Sequence, residues 1–322
     1  MFAWTEFPTR AGERSTVPLS VPAGATEAAL WRYVPSGTAP SGAGPFGTSP
    51  RLLLIHGFRG DHHGMQLIVD ALPEYEVLVP DLPGFGETAP LTAPDGGRAE
   101  HTIEAYTAVV EALAGELGLG PRDVIAGHSF GSIVVAAHLA EAAGQRRPQW
   151  AGAALLAPIS DDIFRQAKLL PGAAGVELYY RLCRILPGGW GDRALRSQAA
   201  LAVTNLSMIV SRDPRVTDFI RDQHRRHFGR YADRRTLLEA YRASSRHTVA
   251  DYAAALELPV LLVPGARDQL STHQGRLSLR DAIPGADGSG ARMTVVRETG
   301  HLLHYERPAE VGRALRSFLQ DL

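Results

Sequence analysis

Gly127-His128-Ser129-Phe130-Gly131 has the residue types and spacing for nucleophilic chemistry. It follows the apolar run Asp123-Val-Ile-Ala126 and precedes Ser132-Ile-Val-Val-Ala-Ala-His-Leu-Ala140, so a strand is expected to end at Ser129 and a helix to begin just after it. So tight a turn strains the serine backbone, and the flanking glycines let strand and helix approach closely. The hydroxyl then stands at the tip, beside the free N–H groups of a helix start. A hydroxyl is a weak nucleophile at neutral pH. The chemistry therefore requires a base, a group that orients the base, and N–H donors for a developing oxyanion.

The elements that must position Ser129 are legible as alternating patterns. Arg51-Leu-Leu-Leu-Ile-His56 is a short continuous apolar run, as in a strand buried on both faces. Tyr75-Glu-Val-Leu-Val-Pro80, Asp123 to His128, Trp150 to Ala157, Pro259-Val-Leu-Leu-Val263 and Arg292-Met-Thr-Val-Val296 read as further strands. The start of the chain, to about Val34, reads as short strands broken by prolines and glycines, and residues 35–50 as a flexible loop by composition. Helices are expected at Gly64–Leu72, at 101–118 (where Ile103, Tyr106, Val110, Leu113 and Leu117 recur), and at Gly131–Ala143, Gln274–Ala282 and Pro308–Leu322. Over residues 161–250 the alternation stops, leaving helical segments (Val176–Ile185, Arg193–Val210, Val216–His227, Arg235–Ser244) with no buried strand. The pattern predicts an α/β protein with a mostly parallel sheet flanked by helices. Residues 1–160 and 251–322 would form this core, and 161–250 an inserted helical cap.

In a parallel sheet, ligands bind beyond the carboxyl ends of the strands. There lie His56-Gly57-Phe58-Arg59-Gly60, Asp81-Leu-Pro-Gly-Phe-Gly-Glu-Thr88, Ser129, Asp268 in Pro264-Gly-Ala-Arg-Asp-Gln269, and His301 in Thr299-Gly-His-Leu302. The H-G, D-x-P-G-x-G, G-x-S-x-G, G-x-x-D and G-H motifs span most of the chain, in an order that resembles the α/β-hydrolase-fold family, in its serine-nucleophile branch with a helical cap. That fold has an eight-stranded sheet. The resemblance implies that Ser129 is the nucleophile, His301 the base, Asp268 the acid that orients it, and the backbone N–H groups of Phe58 and Phe130 the oxyanion donors. Asp161 and Asp162 are rivals of Asp268, because they follow the strand ending near Ala157, where some family members carry their acid. His304 is the nearest rival of His301. His56 is expected to fix the oxyanion loop, His128 to pack or hydrogen-bond at the elbow, and Gly84 and Gly86 to serve a tight turn.

Serine at the elbow separates this chain from the epoxide hydrolases and haloalkane dehalogenases of that family, which use a carboxylate, and from dienelactone-hydrolase types, which use cysteine. The resemblance then implies a serine hydrolase that cleaves an ester-type bond (ester, thioester or lactone) of a small or medium organic substrate through an acyl-enzyme. A C–C bond hydrolase or lyase on the same residues, acting on a carboxylate-bearing substrate, is the alternative; a non-catalytic ligand-binding member is a third.

The 322 residues are 45% hydrophobic and 21% charged with a net charge of -1, so nothing points to nucleic acid or an anionic membrane. The single cysteine, Cys183, excludes an internal disulfide and a Cys-based zinc site, and is expected as a buried small hydrophobe. His62-His63 are of metal-ligating type, but without a carboxylate cluster they read as a polar loop; no metal is expected. No Gly-rich phosphate loop opens a helix, and no cofactor is expected. The start lacks the pattern of a signal peptide and no run approaches about 18 apolar residues, so the expectation is a cytoplasmic monomer or homodimer acting on a small molecule, with no membrane partner. Lys168 is the sole lysine, an arginine bias that suggests a GC-rich bacterial genome.

Residues 161–250 carry 16 basic and 9 acidic side chains, a net +7 against -8 for the rest. Such a surface attracts an anionic substrate or is simply solvated. Arg221, Arg225, Arg226 and Arg230 fall largely along one helical stretch. Leu178, Tyr179, Leu182, Leu206, Met208 and Phe219 are expected to pack the cap onto the core or to line an acyl pocket.

Overall fold

A computed structural model describes residues 4–35, 49–144, 150–167, 169–285, 288 and 290–322. Lys168 and most of the expected 35–50 loop lie outside the described residues. The strands are β1 (Glu13–Val21), β2 (Gly24–Tyr33), β3 (Leu52–Ile55), β4 (Val77–Pro80), β5 (Val124–His128), β6 (Gly152–Leu156), β7 (Val260–Val263) and β8 (Arg292–Met293). They form one eight-stranded sheet in the order β1-β2-β4-β3-β5-β6-β7-β8. β1 and β2 pair antiparallel, as do β2 and β4, and every other pairing is parallel.

Two strands differ from the pattern reading. The first segment is a long hairpin rather than broken short strands, because Pro18 sits in edge strand β1, where a missing N–H is tolerated. β8 covers only the start of the Arg292–Val296 run; Val296 rejoins the sheet as a single bridge to Gly265.

The helices are α1 (Gln66–Asp70), α2 (Ile103–Glu116), α3 (Phe130–Gly144), α4 (Leu170–Ile185), α5 (Trp190–Leu195), α6 (Gln198–Met208), α7 (Pro214–His227), α8 (Arg234–Arg246), α9 (His273–Ala282), α10 (Leu303–Glu306) and α11 (Pro308–Asp321). No helix among the described residues is long and apolar enough to cross a membrane. Successive residues of the central strands face opposite sides of the sheet. Leu53, Ile55, Ile125 and Leu155 pack with Ile103, Tyr106, Val110 and Ile133 of α2 and α3. Leu54, Ala126 and Leu156 pack with Ile68, Val311 and Phe318 of α1 and α11 on the other face. Burial on both faces is why these strands read as unbroken apolar runs.

Helices α4–α8 fall between β6 and β7. The expected Arg193–Val210 helix is two, because Ser197 turns to extended backbone (ψ 144°) and its hydroxyl accepts the Ala200 N–H, capping a new helix. Leu178, Leu182 and Leu206 are 58%, 47% and 87% exposed, so they neither pack the insertion onto the core nor line an enclosed pocket. The inward face of α4 is instead Ala173, Tyr180 and Cys183, and α6 has no fully buried residue. Tyr179, Met208 and Phe219 are half-buried.

β3 is flanked by β4 on one side and β5 on the other, so the chain leaves it in both directions and opens a crevice beyond the strand ends. There Ile55 pairs with Gly127. A Cβ at Gly127 would overlap the Gly131 carbonyl, and a Cβ at Gly131 would overlap the Ile55 carbonyl. Gly127→Ala is therefore expected to lower stability in urea denaturation by about 1–3 kcal/mol, the cost of overpacking rigid backbone. Gly115→Ala, at an exposed α2 position with nothing within 4 Å, should be neutral or stabilising by up to about 1 kcal/mol.

Candidate active site

β5 ends at His128 and α3 begins at Phe130, leaving Ser129 alone at the turn in the left-handed region, with φ 55°. Strain of this kind costs about 1–3 kcal/mol and persists only where neighbours enforce it. Here the Ser129 N–H donates to the Leu156 carbonyl (3.0 Å), and its own carbonyl accepts from the N–H and hydroxyl of Ser132 (2.9 and 2.5 Å).

Ser129 Oγ lies 2.7 Å from His301 Nε2, and His301 Nδ1 lies 3.0 and 3.2 Å from the two carboxylate oxygens of Asp268. An ionised carboxylate only accepts, so Nδ1 carries the proton and the Nε2 lone pair faces the serine hydroxyl. That is the reach and tautomer a general base needs. Asp268 Oδ1 also accepts the Leu270 N–H at 2.8 Å, which fixes the carboxylate plane.

The rival acids are engaged elsewhere. Asp161 is buried and accepts from Ser160 Oγ, Thr272 N–H and Thr272 Oγ, tying the β6 loop to the start of α9. Asp162 pairs with exposed Arg165. His304 is buried in α10 against the His128 ring, at 4.0 Å between centroids. Phe58 follows Gly57, where a Cβ would sit 3.1 Å from Ser129 Cβ, so its loop borders the serine. Phe130 is the first residue of α3, where an N–H has no intrahelical acceptor.

His56 is wired on both ring nitrogens. Nε2 accepts the Leu82 N–H (2.9 Å), so Nδ1 carries the proton and donates to the Gly57 carbonyl (2.8 Å). It joins the loop after β3 to the loop after β4. His128 donates from Nε2 to the His301 carbonyl at 3.2 Å. Gln269 and Glu306 also grip the His301 loop: Gln269 Oε1 accepts the His301 N–H (3.2 Å), and Glu306 accepts the Gly300 N–H (3.3 Å). Sequence reasoning passed over both. Its one available signal was a carboxylate closing the mostly apolar run Leu302-Leu-His-Tyr-Glu306.

The insertion meets the site at Arg59, which is buried with φ 61° and donates to the carbonyls of Leu195 (2.8 Å) and Phe228 (3.3 Å). Contrary to the polar-loop reading, His62 and His63 do meet carboxylates: His62 Nδ1 lies 3.1 Å from Asp81, and His63 Nδ1 lies 3.1 Å from Asp61. The His63 ring stacks face to face on His227 at 3.7 Å, and the side-chain ligand atoms of Asp61, His62 and His63 lie within 4.8 Å of one another, the spacing of a group that could hold a metal ion. Arg221, Arg225 and Arg226 pair with Asp218 and Asp222 on the exposed face of α7, which fits a solvated surface. Arg230 stands apart from them, 4.0 Å from buried Asp61.

The sequence matches the Alpha/beta hydrolase family over residues 52–314. The chain belongs to this family. Among curated relatives it is 31% identical over 104 residues to Lipase 3 of Moraxella sp. (strain TA144), a stretch covering 32% of this chain and 31% of that lipase. The match thus spans about a third of that relative's length. Among solved structures, this alpha/beta hydrolase superposes on a thermophilic esterase from Thermogutta terrifontis (TM-score 0.67, 24% identity, 95% of this chain and 98% of that one). It also superposes on a bromoperoxidase from Bacillus anthracis (TM-score 0.71, 18% identity, 95% and 100%). These two likenesses show the fold.

Buried histidines surround the site of this hydrolase-family chain. Burial, helped by the His301 charge, pushes His128 down to about 3. Burial likewise pushes His224 down to about 4 and holds His304 well below the usual imidazole range. Their folded-state values lie below the unfolded value of about 6.5, so the unfolded chain binds more protons on acidification. Stability is expected to be flat above about pH 6.5 and to fall below it, by about 1.4 kcal/mol per pH unit for each such histidine. Urea midpoints between pH 7.5 and 5 check this; a midpoint independent of pH would contradict it.

Proposed function

We propose that this alpha/beta hydrolase is a serine hydrolase that cleaves an ester-type bond (ester, thioester or lactone) of a small or medium organic substrate through an acyl-enzyme. The observation that carries the reading is the 2.7 Å contact between Ser129 Oγ and His301 Nε2, with Asp268 at the other ring nitrogen. Ser129 attacks the carbonyl carbon while His301 takes the hydroxyl proton; His301 returns that proton to the leaving group, and water then repeats the sequence on the acyl-enzyme. Asp268 holds the imidazole tautomer and stabilises the imidazolium. The N–H groups of Phe58 and Phe130 receive the oxyanion, each worth about 3 kcal/mol to the transition state. Helices α4–α8 act as the cap that selects the substrate.

The lipase and esterase relatives support ester chemistry. Arg221, Arg225 and Arg226 give the carboxylate-bearing C–C substrate no specific support, because they pair with Asp218 and Asp222 on the outer surface.

A fluorophosphonate is expected to label Ser129, and the protein to turn over p-nitrophenyl esters. Ser129→Ala should abolish both, lowering kcat by about 10⁵-fold or more. A folded protein left unlabelled at Ser129 would sink the proposal. Asp268→Asn should lower kcat by about 10³–10⁴-fold by presenting the wrong tautomer. Asp161→Asn should leave kcat within a few-fold, and the reverse ranking would move the acid to the β6 loop.

A further inference from the structure

Glu306 is buried to 4% exposure in α10, and among the described residues no cation pairs with it. Its two oxygens face in different directions. Oε1 accepts the N–H groups of Val210 (2.6 Å) and Ser211 (2.8 Å), which lie on the connection between α6 and α7. Oε2 accepts the Thr299 hydroxyl (2.5 Å) and the Gly300 N–H (3.3 Å), immediately before His301. All four partners are donors, so the site suits an ionised carboxylate, whose removal from water is compensated by these dipoles alone.

A second link runs in parallel. Gln269 Oε1 accepts the His301 N–H (3.2 Å), while its Nε2 donates to the Met208 carbonyl (3.3 Å) at the end of α6. No slack separates the segments: a Cβ at Gly300 would lie 2.7 Å from both Val210 Cγ2 and Gln269 Oε1.

We infer that Glu306 is a positioning residue for His301, transmitting the seating of the α6–α7 segment of the insertion to the loop that carries the base. The inference rests on the serine-hydrolase reading above. A misplacement of about 1 Å at a reacting pair can cost about 10²-fold in rate. The contact at stake is the one between His301 Nε2 and Ser129 Oγ. Whatever shifts Val210 and Ser211, a substrate lodged beneath α6 included, shifts the base with them.

Glu306→Gln places an amide against N–H donors and breaks part of the link. Its kcat on a p-nitrophenyl ester is expected to fall about 30–100-fold, with KM changed less than about 3-fold. In the free protein, the His301 Nδ1–H proton resonance should move or broaden by exchange. Ser211→Pro removes one donor from the insertion side without touching the site and should act in the same direction; it also keeps the test open if Glu306→Gln fails to fold. The double variant should be slowed by clearly less than the product of the two single effects, since both act on one chain of contacts.

Additive effects, or folded variants with wild-type kcat and an unmoved His301 resonance, would overturn the inference. A wild-type protein that fluorophosphonate does not label fails the serine-hydrolase reading instead, while the resonance still reports whether Glu306 positions the ring.

Discussion

The backbone contact among Gly127, Gly131 and the Ile55 carbonyl is the constraint on which the site depends. Three segments meet there with no room for a side chain: the end of β3, the end of β5 and the start of α3. Because β5 must pass into α3 within one residue, Ser129 is forced to φ 55° and its hydroxyl to the tip. The same contact brings Gly57 against the serine, and with it the loop that carries Phe58. Position is thus obtained from close packing of backbone, the least compliant material in the molecule.

The other participants must be brought to that fixed point from distant stretches of chain. His301 stands 172 residues from Ser129 in sequence and 33 from Asp268, so local structure cannot align them. A buried polar network does so. Asp268 is held by Leu270, the His301 loop by Gln269 and Glu306, and the loop after β3 by His56. His56 and, at the His301 carbonyl, His128 are histidines kept neutral by burial, and a neutral ring carries a donor and an acceptor on one rigid frame.

Much of the fold was legible because central strands covered on both faces produce unbroken apolar runs, as at Leu52–Ile55 and Val124–Ala126. The elbow was legible because only glycine tolerates the approach at Gly127 and Gly131. The resemblance put Asp268 first and left Asp161 and Asp162 as rivals, since all three follow strands; in the structure Asp268 lies beside His301 while Asp161 binds Thr272. Apolar character misled at Leu178, Leu182 and Leu206, because periodicity reports which residues suit a covered face and not whether anything covers it. The break at Ser197 was hidden in a helical pattern that continues on both sides of a cap residue. The carboxylate at His62 escaped notice because Asp81 comes from another strand end, whereas Asp61 at His63 stood in plain view as the residue preceding the pair in the same loop.

The sequence by itself determined the alternating elements, the strand-end placement of the chemistry-bearing residues and the tight turn at Ser129, all set by spacing within a few residues. Tertiary structure alone decided that Asp268 rather than Asp161 faces His301, that His56 bridges two loops, and that Glu306 joins the helical insertion to the His301 loop. Those outcomes depend on which polar groups are buried together across the sheet. A lone pair inside the protein must find a donor wherever the packing leaves one, and no local pattern records where that will be.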